Sequence, residues 1–554
     1  MSLLFPVKSL HLCSKILIMP LKSFTLLSFL LLIFTFYSQE VKVKQFDYHK
    51  GETPSNIPIG VDENGYVYSY NYVLLIGNSD VHRMRVHDSK NGEIVREINL
   101  DLIPGLKNRN IETIDYAFAN NQLYVIGEGE LGTKEGIYVV RLNHLLQVEG
   151  EPYFFPTTSD YCEKRCKQEV LINELATEDS PHHSFISRVY SGKGKKQISE
   201  LELITFNDEN EIIFNRKVKF PKRTVSKVDF FNVGKSIVMQ VQSFTRQSEE
   251  GNLLGFLFKE NVYEDHIYIL DGKDNLNELD LNSSFEGYLF EDFNIHENEG
   301  EIIVSGKLHK DESFIGLGTL VYDVQSLKLV SSDIHKFDKE LAYTYLTDED
   351  NEDVRRRLDK NKVEVNEGDL VTTYKLVRSF KNKNGEIVNI YQNIWSGYTS
   401  RSNGQGTVHY MYTNVVMAKI NTKGEVGNIT FLPFYQMIND VDPEKGFSVF
   451  RDGNEFYFLH IATPEKIDVI NKVHNNEIDN NFEEGKAIIT LTRVDNEGQV
   501  SSEGLVYGVE DKIMHNAAFS IGDSETNKFY IVSTSFNPIT KKENKLVVIE
   551  VETK

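Results

Sequence analysis

The chain has 554 residues and carries 82 Asp and Glu against 60 Lys and Arg, a formal net charge of −22. That charge repels phosphate backbones and anionic lipid, which argues against nucleic acid or a membrane surface as the main partner and leaves cations, neutral polymers and proteins. The length also exceeds what one hydrophobic core supports, unless the chain is built of repeated units that pack only on their neighbours.

The first element in chain order is an apolar leader. From Met19, a plausible true start, it reads MPLKSFTLLSFLLLIFTFYSQE, with Lys22 as a positive n-region, Phe24 to Tyr37 as the apolar h-region and Ser38 as a small residue at the cut. The apolar run is shorter than the roughly 20 residues that span a bilayer, so residues 1–38 read as a cleaved secretory signal, with an uncleaved anchor as the alternative. The expectation is an exported protein, periplasmic, cell-surface or extracellular, whose mature chain does not insert into the membrane.

The next phrase, Val41 to Tyr48, alternates like a strand but has no unit of its own. After it a four-phrase unit recurs, clearest from Thr113 to Phe155 as TIDYAFANN, QLYVIGEGE, GIYVVRLNH and LLQVEGEPYFF. Each phrase is short and rich in β-branched and aromatic residues, and Asn, Gly, Glu or Asp clusters between the phrases suit tight turns, so the unit is a four-stranded antiparallel meander. Copies are anchored at Tyr66, Gln122, Ile186, Lys235, Gly300, Gly385, Asn454 and Asn527. Repetition of such a meander predicts an all-β fold, a β-propeller of eight four-stranded blades, with seven as the alternative count. The last copy stops after its third phrase, and the orphan Val41 to Tyr48 strand is expected to close the ring as its outer strand.

The anchors recur about every 66 residues, longer than the ~40–50 of compact propeller repeats, so the single domain of residues 39–554 must hold insertions. One is expected at about 156–181, around Cys162 and Cys166. In an oxidising compartment these close thiols are expected to form a local disulfide, with two free thiols as the first alternative; a zinc site would need two more ligands, and the nearby His182 and His183 lack the pattern. A second insertion, at about 331–369, includes the helix-compatible KELAYTYLTDEDNEDVRRRLDK. There Asp348, Asp350, Glu352 and Asp353 offer hard oxygens to Ca²⁺, the one cofactor that the composition suggests. The segment lacks the glycine turn of an EF-hand, and Arg355 to Arg357 can neutralise it, so a solvated charged face is the plainer reading.

Ile394 to Val415 holds the lone tryptophan, Trp395, with Tyr398, Arg401 and His409, interleaved with Gly and Ser. Aromatic and Arg side chains on a mobile loop are what sugar rings and peptides stack against. The alternative places the aromatics in interblade core, above all Tyr410 and Tyr412. Catalytic signatures do not occur: there is no G-x-S-x-G elbow, H-E-x-x-H pair, Walker A loop or dinucleotide fingerprint. No catalytic residue is assigned, although a site assembled from distant loops leaves no such signature.

The phrase VVMAKINTKGEV, a strand running into an Asn-x-x-Gly-Glu turn, resembles uncharacterised exported bacterial β-propeller proteins, and weak copies of it cover most of the chain. The resemblance implies a fold and a compartment and transfers no residue's role. The expected function is a non-catalytic binding or scaffold module for a polysaccharide or partner protein. The rival is an exported hydrolase or lyase with its active site at the channel mouth, which carboxylates, histidines and arginines converging there would favour.

Overall fold

In a computed structural model the chain divides into two compact parts, Val43–Glu550 and a small one of Met1–Lys42 with Val551–Lys554. The residues described are 40–47, 55–73, 81–100, 103, 115–119, 122–131, 134–156, 167–172, 183–190, 198–206, 212–218, 220, 225–233, 236–247, 261–270, 276–279, 281, 284–285, 287–310, 313–337, 370–371, 374–382, 384–400, 406–439, 446–476, 488–505, 513–514, 520–524, 526–535 and 544–552. Both cysteines of the expected disulfide, the acidic run at 348–353, the leader and Arg401 lie outside them.

The larger part is a β-propeller. Its strands form antiparallel meanders at residues 55–99, 115–156, 167–218, 225–279, 289–336, 374–439 and 448–504, here meanders 1 to 7. Meander 8 comprises Ser520–Asp523, Lys528–Ser535 and Asn544–Glu552, and Glu40–Asp47 adds beside the last of these, so the N-terminal strand closes the ring as expected. Hydrogen bonding gathers the strands into seven sheets, because meanders 3 and 4 share one eight-stranded sheet through the single pair Ile198↔Val225. The ring thus counts seven blades, the alternative count and not the expected eight, because that pair merges two of the eight meanders into one sheet.

The packing explains the phrases. First strands of consecutive meanders adjoin one another: Ser55–Val61 lies against Asp115–Ala119, Leu289–Asn298 against Tyr374–Lys381, and Ser520–Asp523 against Ser55–Val61 again. They form the inner rim. Second and third strands are covered on both faces, so Glu301–Lys310 (EIIVSGKLHK) is buried at nearly every position instead of alternately, and the sequence shows a run instead of an alternation. Most of the apolar cores sit between neighbouring meanders, as where Val238, Ile267 and Ile269 of meander 4 meet Phe290, Phe293 and Val304 of meander 5.

One face of the ring is built from a repeated five-residue turn. In Asp62-Glu-Asn-Gly-Tyr66 the Asp62 Oδ1 accepts from the amides of Asn64 and Tyr66, and Asn382, Asn421 and Asp495 do the same for the amides two and four residues on. The fourth position lies in the left-handed region, with φ of 83° at Gly65, 84° at Gly385 and 80° at Gly424, which is why glycine recurs there. Neighbouring turns are joined: Asn298 Nδ2 donates to Thr422 O at 3.0 Å, Asn382 Nδ2 to Asn454 Oδ1 at 3.2 Å, and Lys419 Nζ to Asn496 O at 2.7 Å. The strand ends that flank residues 157–166, 338–369 and 401–405 lie on the opposite face.

Two blade strands fall wholly or partly in the expected insertions. Lys167–Ile172 is the first strand of meander 3, and Leu329–Lys336 is the fourth of meander 5. A helix that the strand pattern did not reveal, Pro464–Val473, lies between the second and third strands of meander 7.

Candidate functional site

The aromatic segment is not a loop. Ile387–Ser400, Gly406–Ile420 and Val426–Asn439, of 14, 15 and 14 residues, run on past the usual blade strand as a three-stranded arm, and only 401–405 fall between the first two. The expectation of a mobile loop fails because Val426–Asn439 supplies a third strand: Met411 pairs with both Trp395 and Met437, and His409 with Gly397 and Asn439. Register also divides the expected cluster. Trp395 and His409 stand on one face of the arm, while Tyr398, three residues from Trp395, belongs to the other. That second face carries Tyr412, which is wholly buried against Gly446, as the interblade-core reading expects.

A second constellation lies on the inner rim of meander 5, at the end away from the turns. Glu291 and Asp292 sit at a bulge in the first strand, where the register shifts and Asp292 takes a φ of 46°. This strained backbone brings the Asp292 carboxylate to 2.9 Å from Lys307 Nζ, while Glu291 Oε2 lies 2.9 Å from His309 Nε2. Lys307, almost fully buried, also donates to Tyr374 O of the next meander at 3.0 Å. The two carboxylates are roughly half exposed and the two bases beneath them are not. The hydrogen bond from His309 holds the Glu291 carboxyl below its ordinary range. An ionised, solvent-facing carboxylate of this kind can accept a proton from a bound molecule. The signal available in the sequence was K-x-H at a strand end, facing an E-D pair.

A third arrangement has the distances of a catalytic triad: Ser243 Oγ lies 2.8 Å from His266 Nε2, and His266 Nδ1 lies 3.0 Å from Glu278. It is a packing device. Ser243 is buried in mid-strand, and meander 1 repeats the pair at the same register, Ser69 to His87 at 2.8 Å, with His87 opposite Val67 as His266 is opposite Val241. His460 and Thr492 in meander 7 bond likewise at 2.7 Å. Burial pushes His87, His296 and His460 down to about 3, so all three are neutral.

Among the described residues no group of His, Cys, Asp and Glu is arranged to hold a metal ion, and no helix is long and apolar enough to cross a membrane. The acidic residues expected to bind Ca²⁺ are not part of that statement.

No family model matches the chain, and no curated protein matches it in sequence. Solved structures share the arrangement of strands at low identity. The WD40 domain of SCAP from fission yeast is 11% identical over 93% of this chain and 98% of that one, with a TM-score of 0.40. The polysaccharide lyase Uly1 is 10% identical over 92% of each chain, with a TM-score of 0.33. The quinohemoprotein alcohol dehydrogenase ADHIIG from Pseudomonas putida HK5 is 9% identical over 93% of this chain and 77% of that one, at 0.37. None of these likenesses bears on what this chain binds or does.

Proposed function

We propose that the protein is an exported, non-catalytic β-propeller that serves as a binding or scaffold module for a polysaccharide or a partner protein. The observation that carries this reading is the arm of meander 6. It extends three paired strands beyond the blade on the face away from the interlocked turns, and it puts Trp395 and His409 at register positions two residues apart in adjacent paired strands. A paired sheet loses less conformational entropy on binding than a loop does, and Trp is enriched among residues that dominate recognition. In a glycan and peptide array, Trp395→Ala and His409→Ala should weaken binding of the ligand found by about tenfold or more and leave the melting temperature in place. Destabilisation by about 3–5 kcal/mol instead would assign Trp395 to interblade core and end this reading.

The Glu291, Asp292, Lys307 and His309 constellation favours a second reading, an exported hydrolase or lyase acting at the channel mouth. New chain ends released from a polysaccharide panel by the wild type but not by Glu291→Gln would establish it. A panel left uncut by the wild type would dismiss it.

A further inference from the structure

On the turn face, a cleft of about 320 Å³ opens between meanders 6 and 7. Val388, Ile420 and Phe456 are its apolar lining, and its polar lining includes Lys419, Arg451, Asn428, Asn454, Asn496 and Glu386. The volume sits at the small end of ligand pockets, too little for a polymer chain and enough for one compact molecule.

The charges in the cleft are the informative part. Lys419 is half-buried in a chain with a net charge of −22, yet its ammonium donates only to neutral acceptors, Asn496 O at 2.7 Å and Asp495 O at 3.3 Å. Among the described residues no carboxylate is within ion-pair reach of it. The acid that lines the cleft, Glu386, is held by Asn382 Nδ2 at 2.7 Å. Burial lowers the Lys419 pKa, and the more distant Asp495 and Glu386 carboxylates offset that only in part. Arg451, itself buried, adds a second cation and donates from Nη1 to Lys381 O at 2.7 Å. The rim is chemically different: Asn454 Oδ1 is taken by Asn382, and among the described residues the Asn454 Nδ2 has no acceptor and the Asn496 carboxamide no partner. Carboxamides that offer both donors and acceptors match hydroxyl groups.

We propose that this cleft binds a small polyhydroxylated carboxylate, with the carboxylate at Lys419 and Arg451 and the hydroxyls along Asn428, Asn454 and Asn496. The site is on the opposite face from the meander 6 arm and stands or falls separately from the function proposed above.

Titration calorimetry of the full mature chain with glucuronate, and with glucose as the neutral counterpart, tests it. Glucuronate should bind saturably, and glucose at least about tenfold more weakly. Lys419→Met keeps the stem and removes the charge, and should cost glucuronate about tenfold or more. Gly427→Leu should abolish binding: a Cβ at Gly427 meets only Lys419 O, at 3.6 Å, so the side chain enters the cleft without a backbone clash. Thermal melts of both variants confirm the fold, and Lys419→Met decides should Gly427→Leu not fold. Absence of saturable glucuronate binding, equal affinity for glucose, or unchanged affinity in folded Lys419→Met would each overturn the proposal.

Discussion

At the scale of single residues, the buried histidines link the interblade packing to pH. His296 Nε2 contacts Ser379 Oγ of the next meander at 2.6 Å, and Ser379 donates to Asn389 Oδ1, whose Nδ2 in turn donates to Ser305 Oγ, so the network crosses between the sheets twice. A proton on that imidazole would be a buried charge with Lys381 nearby, which is why its folded pKa falls from the ordinary 6.5 to about 3. Above pH 6.5 neither the folded nor the unfolded chain protonates it. Between 6.5 and 3 the unfolded chain binds a proton that the folded chain refuses, so stability is lost as pH falls through that window. Each such histidine contributes a slope of about 1.4 kcal/mol per pH unit. Denaturant midpoints at pH 7.5 and 5 should therefore differ strongly in the wild type, and less in His296→Gln by one histidine's share; an identical acid loss in both would refute the assignment. Sequence reading passed over these residues, because a histidine in a strand phrase carries no local mark of burial.

Elements show how local signals compete with tertiary partners. The helix Pro464–Val473 is ten residues long, and its N-cap Thr463 makes no side-chain cap, so it would be marginal alone. It is held by Ile467 and Ile470 in the core and by Asn471, whose carboxamide pairs with the edge strand Val500–Gly504 as a neighbouring strand would: Nδ2 donates to Ser502 O at 2.8 Å and Oδ1 accepts from Ser502 N at 3.0 Å. The outer edge of this blade is thereby covered. Asn471→Leu removes both bonds and leaves buried backbone groups unpaired, so it should cost about 2–4 kcal/mol by chemical denaturation. A loss below 1 kcal/mol would show, on the same scale, that water replaces the amide. The arm of meander 6 teaches a related lesson. Its Gly- and Ser-rich residues look like loop locally, and a third strand overrides that preference.

For the whole molecule, closure is the decisive feature. Glu40–Asp47 covers the outer edge of Asn544–Glu552, and Ser520–Asp523 meets Ser55–Val61, so chain ends some 500 residues apart in sequence are neighbours in the ring. Removing residues 40–47 exposes a row of backbone donors and acceptors on meander 8, and should cost on the order of several kcal/mol or cause aggregation. Light scattering and thermal melting of the truncated chain check this; unchanged melting and a monodisperse sample would contradict it.

The strand phrases, the turn chemistry, the repeat and the closing strand were all legible in the amino-acid order. They rest on interactions within a few residues: β-branched runs, an Asn or Asp that satisfies the amides two and four positions on, and a glycine where φ must be positive. Tertiary structure alone decided which side chains share a site. Glu291 meets His309 only because a bulge turns it toward the neighbouring strand, Lys419 faces a cleft only because meander 7 packs beside meander 6, and Trp395 parts from Tyr398 only because the register carries through the arm. Such juxtapositions depend on how sheets stack and where registers slip, and these are properties of the assembled ring that no short stretch of sequence encodes.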